Sequence, residues 1–370
     1  MNILHINSYY LDSLFYKNMY ECQIQKQLNI SVYVPISKNK KIKEFDYGNY
    51  TTISKNHNKY DRLLFYYKHK KILNDIQNKY TIEDFDIIHT HSLFSNGYIA
   101  YKLHQKYKIP YIVTVRNTDI NIFFKKMFFL RKLGIEILKN AEKIIFLSPS
   151  YKRNLFKKYL PKKIHSLLEE KILVIPNGID NFWIKNHIKK PKTLHNNNSI
   201  HLIYVGRINK NKNVITTIKV CHKLIHLGYH VQFTIVGKVE NKRIFKKIIK
   251  EDFVNYISET TKESLLNIYR ENEIFIMPSL TESFGLVYAE AITQGLPVIY
   301  SKDEGFDGQF KEGFIGYHVE KKDVNDIVKK ILLIITNYSF FANHCFQYYH
   351  YFNWPTIIDK YLEIYQELNE

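Results

Sequence analysis

The segment Ile274-Phe-Ile-Met-Pro-Ser-Leu-Thr-Glu-Ser-Phe-Gly-Leu-Val-Tyr-Ala-Glu290 leads from a short apolar strand, through a turn, into a helical pattern. Its strand, Ile274 to Met277, is apolar at every position, which is typical of a parallel strand covered by helices on both faces. Similar runs alternate with helical patterns along the whole chain, so the sequence predicts an α/β protein with parallel sheets. Ligands bind beyond the carboxyl ends of such strands, and we therefore look for function in the motifs at those ends.

The strand-like runs form two series. The first is Ile3 to Ile6, Ile30 to Pro35, Asp86 to Thr90, Tyr111 to Val115, Lys143 to Leu147 and Ile172 to Ile175. The second is Ile200 to Val205, Val231 to Val236, Phe253 to Ile257, Ile274 to Met277, Pro297 to Tyr300 and Ile315 to Val319. Between them lie the turn Pro176 to Asp180, in which Gly178 is suited to positive φ, and the polar linker Lys189 to Ser199.

A chain of 370 residues is long enough for two domains. We expect an N-terminal domain at 1–185 and a C-terminal domain at 196–345. The helical pattern at about 354–370 is expected to pack back on the N-terminal domain.

Composition excludes several classes of protein. Hydrophobic residues make up 45% of the chain and charged residues 24%, which argues against disorder. The apolar runs are too short to span a membrane, and the N-terminus does not resemble a signal peptide, so we expect a cytoplasmic protein. Cys22, Cys221 and Cys345 are too far apart in sequence for a zinc motif or a disulfide framework. The net charge of +19 fits an anionic partner, but codon bias toward lysine accounts for part of it, so the charge alone decides little.

Two glutamates, Glu282 and Glu290, stand eight positions apart after the strand Ile274 to Met277. In a helix the axial rise alone would separate them by about 12 Å, which exceeds the spacing of a glycosidase carboxylate pair. They can instead bind two hydroxyl-rich groups on either side of a diphosphate. Gly285 allows close approach of the backbone, and the helix that starts near it offers N–H groups to a phosphate. A helix with one N-terminal and one solvated glutamate is the alternative.

A basic loop follows the first strand of the second series. It reads Gly206-Arg207-Ile-Asn-Lys-Asn-Lys212, in which Arg207 can bind phosphate through two hydrogen bonds and Lys212 adds a point charge. A lysine-rich turn without a ligand is the alternative. In the first series, His89 and His91 lie on the same side of an extended strand. Because no third ligand has a recognisable spacing, we expect hydrogen-bonding or structural histidines and no metal site.

Together these motifs resemble the retaining glycosyltransferases of the GT-B fold, specifically the group-4 family that builds bacterial surface polysaccharides. The resemblance covers nearly the whole chain, and its most specific part is the Glu-x7-Glu motif described above. The other matching motifs are Asp86 to His91, Val113 to Asp119, Ile175 to Asp180, and Val205 to Arg207 with Lys212. The resemblance implies two Rossmann-like domains whose parallel sheets face each other across a cleft.

The resemblance also implies roles for individual residues. Glu282 would contact the transferred sugar, while Arg207 and Lys212 bind the donor diphosphate. The implied donor-binding residues are Gly206, Phe284, Gly285, Leu286 and, on the nucleotide ribose, Glu290.

On the acceptor side or in the cleft, we expect His91, Arg116 and Asn117. The chain departs from the family in two places. Arg116 stands where many members have histidine, and the loop Asn7 to Tyr16 lacks the usual glycines.

The implied function is transfer of a sugar from a nucleotide-sugar donor, with a UDP-sugar favoured, to a saccharide or lipid-linked saccharide in polysaccharide, capsule or lipopolysaccharide biosynthesis. No cofactor or metal is expected, because Arg207 and Lys212 supply positive charge. Asp84-Phe-Asp86 spells the DxD motif of metal-dependent glycosyltransferases, but it leads into a buried strand. A nucleotide-sugar epimerase of similar fold is the alternative enzyme. A basic protein that binds nucleic acid or a membrane surface is a third class, and no nucleic-acid-binding motif supports a nucleic-acid partner.

One segment of the first half, Phe123 to Gly134, contains four phenylalanines and four basic residues. As a helix it would suit the interface of an anionic membrane, and the protein would then be peripheral on the inner face of that membrane. The alternative is that Phe123, Met127, Leu130 and Leu133 simply pack on the sheet. The sequence leaves both interpretations open.

Overall fold

The computed structural model describes residues 1–12, 15–194, 196 and 198–369. The chain divides into two compact units, of which the first comprises Met1–Leu147, Tyr151–Gly178 and Trp354–Glu370 and the second comprises Ser148–Ser150 and Ile179–Asn353. Two residues of the expected linker, His195 and Asn197, lie outside the described residues, as do Ser13 and Leu14 of the loop after the first strand.

The first unit contains a seven-stranded parallel sheet with the order β3-β2-β1-β4-β5-β6-β7. Its strands are β1 Asn2–Ile6, β2 Asn29–Ser37, β3 Thr51–His57, β4 Ile87–Thr90, β5 Tyr111–Val115, β6 Lys143–Phe146 and β7 Ile172–Val174. The central strands β4 and β5 are buried along their whole length, including the polar residues His89 and Thr90 of β4. Strand β3 was not predicted, because it is an edge strand of mainly polar residues.

Helices cover both faces of this sheet. They are α1 Phe15–Gln25, α2 Phe65–Lys79, α3 Gly97–Tyr107, α4 Arg131–Asn140, α5 Pro149–Tyr159, α6 His165–Glu169 and α14 Trp354–Glu367. The last helix, α14, buries its apolar stripe against the core of the first unit, beside Ile3 and Val32. The sequence had suggested a positive φ at Gly178, but its φ is not positive. Glycine is needed there for close packing, because a Cβ atom would lie 2.4 Å from Trp354 Cδ2.

The second unit contains a six-stranded parallel sheet with the order β10-β9-β8-β11-β12-β13. Its strands are β8 Ser199–Val205, β9 His230–Val236, β10 Val254–Ile257, β11 Ile274–Met277, β12 Val298–Ser301 and β13 Gly316–Val319. Its helices are α7 Asn181–Lys185, α8 Val214–His226, α9 Lys242–Ile248, α10 Lys262–Glu271, α11 Leu286–Thr293, α12 Val324–Thr336 and α13 Tyr338–Gln347. Residues 179–185, expected in the N-terminal domain, belong here because Trp183 packs on Tyr269.

The aromatic and basic segment 123–134 is not one helix, so that expectation is wrong. A π-helical turn, Asp119–Phe124, and a 3-10 turn, Phe128–Leu130, precede α4. Met127 interrupts the helical path with φ −104° and ψ 60°. Within the described residues, no helix is both long and apolar enough to cross a membrane.

Candidate active site

Two loops of the second unit are joined at the carboxyl edge of its sheet. The loop 206–213 follows β8, and the loop 278–285 follows the neighbouring strand β11. The Leu280 N–H donates to the carbonyl oxygen of Asn211 over 2.7 Å, and the Asn211 side-chain amide donates to the carbonyl oxygen of Thr281 over 2.8 Å. These bonds bring the basic loop and the start of the Glu-x7-Glu motif together.

An ion pair links the two loops. The Lys212 ammonium Nζ lies 2.6 Å from Glu282 Oε2, and the side chains are only 17% and 11% exposed. The Ser279 hydroxyl also donates to Oε2, over 3.3 Å, and the Ser283 N–H donates to Oε1 over 3.1 Å. A carboxylate and an ammonium are thus held side by side where parallel sheets bind ligands.

Helix α11 starts directly after this pair. Gly285 precedes it with φ +78°, and a Cβ atom there would lie 2.4 Å from Tyr288 Cε2, so both backbone conformation and packing require glycine. The Tyr288 hydroxyl donates to the Met277 carbonyl over 2.6 Å and ties the helix to β11. Phe284 is buried, whereas Leu286 begins the helix. The backbone of this turn, with its helix N-terminus, is therefore the part that can bind an anion.

Arg207 has a different partner. Its guanidinium Nη1 lies 3.1 Å from Glu240 Oε1, and the arginine side chain is 67% exposed. Hydrogen bonds from Asn209 and then Arg207 lower the pKa of Glu240. The preceding residue, Gly206, donates its N–H to the Val236 carbonyl over 2.9 Å. The arginine is thus presented to solvent from a turn that is fixed to β9.

Glu290 lies in the middle of α11, eight residues after Glu282. Burial raises the pKa of its carboxyl group to about 7, against a hydrogen bond from the Tyr269 hydroxyl, which is 3.4 Å from Glu290 Oε2. The charge of Lys262 lowers this pKa and the charge of Asp180 raises it, and these two residues form an ion pair with each other. Glu290 therefore changes charge near neutral pH.

In the first unit, the predicted residues Arg116 and Asn117 follow β5. The Arg116 Nε donates to the His91 carbonyl over 3.1 Å. The Asp119 carboxylate accepts the N–H of Arg116 over 2.8 Å and the N–H of Leu93 over 2.9 Å. Burial raises the pKa of Asp119 to about 6. Asp119 thus joins the loops after β4 and β5 and holds Arg116 and Asn117 at the end of the sheet.

The His91 side chain is buried in a cluster with His5 and His89, so it does not face solvent as an acceptor-binding residue would. One ring nitrogen from each of the three imidazoles lies within 4.8 Å of the others, a spacing that could hold a metal ion. Sequence reasoning missed the third histidine because it comes from another strand, where the register of β1 and β4 pairs His5 with His89.

Hydrogen bonds within this cluster favour a structural role over a metal centre. His5 Nδ1 and His91 Nε2 are 3.1 Å apart. His89 is hydrogen-bonded on both sides, to the Tyr365 hydroxyl over 2.7 Å and to Thr114 Oγ1 over 3.2 Å. Burial lowers the pKa of His5 to about 3 and also lowers those of His89 and His91, so all three are neutral at pH 7.

Comparison with protein families now identifies the chain. The family model for glycosyl transferases group 1 matches residues 185–348, and that for glycosyltransferase family 4 matches residues 17–181. The chain belongs to this glycosyltransferase family. The two matches span both units, and they include the ion pair after β8 and β11 as well as the loops after β4 and β5.

Two relatives of this glycosyltransferase come from a cps region and from glycan synthesis. An uncharacterized 41.2 kDa protein of the capsule region of Klebsiella pneumoniae is 30% identical over 258 residues, covering 66% of this chain and 68% of that protein. The Escherichia coli UDP-Gal:alpha-D-GlcNAc-diphosphoundecaprenol alpha-1,3-galactosyltransferase is 27% identical over 267 residues, covering 68% and 67%. The chain is therefore a glycosyltransferase of polysaccharide or glycan biosynthesis.

A solved structure has the same fold as this glycosyltransferase. HepE of Anabaena, in complex with UDP-glucose, superposes with a TM-score of 0.67 over 99% of this chain and 100% of HepE. The sequence identity is 14%. This likeness concerns the GT-B fold, with two Rossmann-like α/β units.

Glu304 of the glycosyltransferase was not among the predicted site residues. Its Oε2 accepts the Glu282 N–H over 2.9 Å, and its Oε1 is paired with Lys321. Burial raises the pKa of Glu304, although the Lys321 ammonium acts in the opposite direction. Glu304 follows β12 at the same sheet edge, so the rule that ligands bind at strand ends could have found it.

The DxD-like motif, Asp84 to Asp86, lies at the amino edge of the first unit's sheet, opposite the loops that follow the strands. Asp86 Oδ2 accepts the Asn2 N–H over 2.7 Å, and the Asp84 carbonyl accepts the Asn2 side-chain amide over 2.9 Å. Both aspartates precede the amino end of β4. They stabilise the start of β1 and lie away from the loops that follow the strands.

Proposed function

We propose that this glycosyltransferase moves a sugar from a UDP-sugar to a saccharide or lipid-linked saccharide with retention of configuration. The observation that carries the proposal is the Lys212–Glu282 ion pair beside the N-terminus of α11. The name of the Escherichia coli relative supports a UDP-sugar donor and a lipid-linked acceptor, and the complex of HepE with UDP-glucose supports the same donor class.

Lys212 would stabilise the leaving diphosphate. An ammonium donates three hydrogen bonds, so a phosphate oxygen can accept one of them while Glu282 keeps another. The N–H groups at the start of α11 add donors and a positive partial charge. Because negative charge grows on the diphosphate as the sugar–oxygen bond breaks, this preorganised positive environment lowers the barrier.

Arg207 would join the same diphosphate by exchanging partners. Its ion pair with Glu240 is exposed, and exposed ion pairs contribute only about 0–1 kcal/mol. A phosphate can therefore replace Glu240 at small cost and accept two parallel hydrogen bonds from the guanidinium. Gly206 supports this exchange, because its hydrogen bond to β9 keeps the turn in place while the arginine side chain moves.

The two glutamates would bind the two sugars of the donor. Glu282 accepts hydrogen bonds from hydroxyls of the transferred sugar, and Glu290 accepts them from the ribose. The acceptor attacks from the face that the diphosphate leaves, and the departing phosphate takes the acceptor proton. On the acceptor side we propose Arg116 and Asn117, with His91 as a positioning residue whose carbonyl oxygen holds Arg116.

We also propose that the reaction needs no divalent cation and no cofactor. In metal-dependent transfer a cation neutralises the diphosphate, and here Lys212, Arg207 and the N-terminus of α11 offer that charge. Each buried histidine of the first-unit cluster makes at least one hydrogen bond, which supports a structural role for the cluster.

The test measures UDP released from UDP-sugars in the presence and absence of saccharide and lipid-linked acceptors. Arg207→Ala, Lys212→Ala and Glu282→Gln should each lower turnover by about 10²–10³, the usual effect of losing one group that stabilises the transition state. Lys210→Ala, an exposed lysine in the same loop, is the matched control and should retain activity. Equal losses in the Lys210 and Lys212 variants would contradict the specific role of Lys212. Conversion of the sugar without release of UDP would indicate an epimerase.

A further inference from the structure

We infer that the first unit docks on anionic lipid bilayers through one aromatic surface, formed by residues 63–67 and 127–129. This inference deepens the proposed function, because a lipid-linked acceptor lies in such a bilayer. Docking itself requires no turnover, so the two can be tested separately.

Large apolar side chains from two separate segments are exposed on this surface. Leu63 is 77% exposed, Phe128 is 71% exposed and Phe129 is 63% exposed. Leu64, Tyr66 and Tyr67 are more than half exposed as well. Single exposed apolar residues are common on proteins, but clusters of them mark sites of interaction.

The two segments lie side by side. A groove of about 380 Å³ is lined by side chains from both, including Leu64, Tyr67, Met127 and Phe129. Neighbouring residues fix the segments to the unit, since Phe65, Phe124 and Leu130 are buried in its core. The exposed rings are therefore attached to the folded core through these buried neighbours, while the rings themselves stay at the surface.

The charges around this surface favour an anionic partner. Acidic residues are absent from positions 62–74 and 120–135 of the sequence, whereas basic residues are frequent there. Exposed lysines flank the apolar side chains at Lys59, Lys70, Lys125, Lys126 and Lys132. The acid Asp61 next to this region is already paired with Lys71 over 2.7 Å.

This combination fits a bilayer better than a second copy of the chain. Rings among lysines match the boundary between acyl chains and anionic headgroups. A symmetric dimer through the same surface would bring these lysines together and be opposed by their repulsion. Arg131, the fourth basic residue of the segment 123–134, is bound to the unit through its Nε, which donates to the Phe124 carbonyl over 2.6 Å.

The experiment is co-sedimentation of the full chain with vesicles of phosphatidylglycerol and phosphatidylcholine, compared with vesicles of phosphatidylcholine alone. We expect binding to the anionic vesicles that weakens as salt is raised. Lys125→Ser with Lys126→Ser should weaken binding roughly 30-fold, which corresponds to about 1 kcal/mol per lysine. Phe128→Ser with Phe129→Ser should weaken it more than tenfold.

Matched controls come from the second unit. Lys246→Ser with Lys247→Ser removes two exposed lysines of α9, and Phe340→Ser removes a half-exposed phenylalanine of α13. Both should bind vesicles like the wild type. Urea unfolding followed by Trp354 fluorescence, measured for every variant, shows that the first unit still folds, and a UDP-induced rise in Tm shows that the second unit folds and binds nucleotide.

Three results would overturn the inference. The first is wild-type protein that stays in the supernatant with anionic vesicles. The second is equal loss of binding in the control and test variants. The third is a dimer in sedimentation velocity that dissociates in the Phe128/Phe129 variant, since the surface would then bind a second copy. A lack of UDP response with intact vesicle binding would contradict the proposed function and leave docking supported.

Discussion

The charge of Glu290 should make donor binding depend on pH. Burial raises the pKa of this carboxyl group to about 7. If the ribose hydroxyls require the carboxylate as acceptor, donor affinity follows the ionised fraction, which is about 0.1 at pH 6 and about 0.9 at pH 8. We therefore expect the Kd for UDP-glucose to fall nearly tenfold between pH 6 and pH 8. Donor affinity rises with pH because Glu290 is protonated below its raised pKa and can accept hydrogen bonds as a carboxylate above it.

Isothermal titration calorimetry at pH 6, 7 and 8 measures this change. Glu290→Gln is the matched variant, since it keeps the shape of the side chain and removes the titration, and its Kd should not vary with pH. Asp180→Asn should move the midpoint to lower pH, because the negative charge of Asp180 helps to raise the pKa of Glu290. Asparagine can still cap α7, as Asp180 does through the Phe182 N–H. A wild-type Kd that is the same at pH 6 and pH 8, or an equal slope in the glutamine variant, would refute the role of Glu290.

Three more predictions concern metal, acid stability and packing. Activity should persist in excess chelator; loss that magnesium or manganese restores would contradict metal-independent transfer. The first unit should lose stability below about pH 6.5. Burial lowers the pKa values of His5, His89 and His91 in the folded state, so as the pH falls these histidines are protonated in the unfolded chain before they are in the folded one. The urea midpoint of the first unit, followed by Trp354 fluorescence, should therefore be lower at pH 5.5 than at pH 7, and an equal midpoint at both pH values would contradict this. Gly178→Ala should destabilise the same unit by about 1–3 kcal/mol in urea, since its Cβ would overlap Trp354; an unchanged midpoint would contradict that packing.

Most parallel strands of both units could be predicted, because short runs of apolar residues indicate buried strands. Strand β11 is apolar at every position and is buried at every position. Strand β3 was not predicted because it lacks such an apolar run, and an edge strand with polar side chains resembles a loop in sequence. In the segment 123–134, Leu130 lies in the core and Phe123, Met127 and Leu133 pack against it, as the packing interpretation expected, whereas Phe128 is exposed.

The candidate site was predictable where one motif follows one strand. The candidates Lys212 and Glu282 were proposed in this way, as were Arg207 and Glu290. Their partners were not found, because these partners depend on which strands are neighbours. The pairing of Lys212 with Glu282 follows from the adjacency of β8 and β11, and the contact of His5 with His91 follows from that of β1 and β4.

The position of α14 has a consequence for biosynthesis of the chain. This helix supplies Trp354, Ile357 and Tyr361 to the core of the first unit, yet the ribosome makes it after the whole second unit. While residues 179–353 are being translated, the apolar face that will receive α14 is bare and open to chaperones or to aggregation. The half of the protein that is synthesised first therefore completes its folding last.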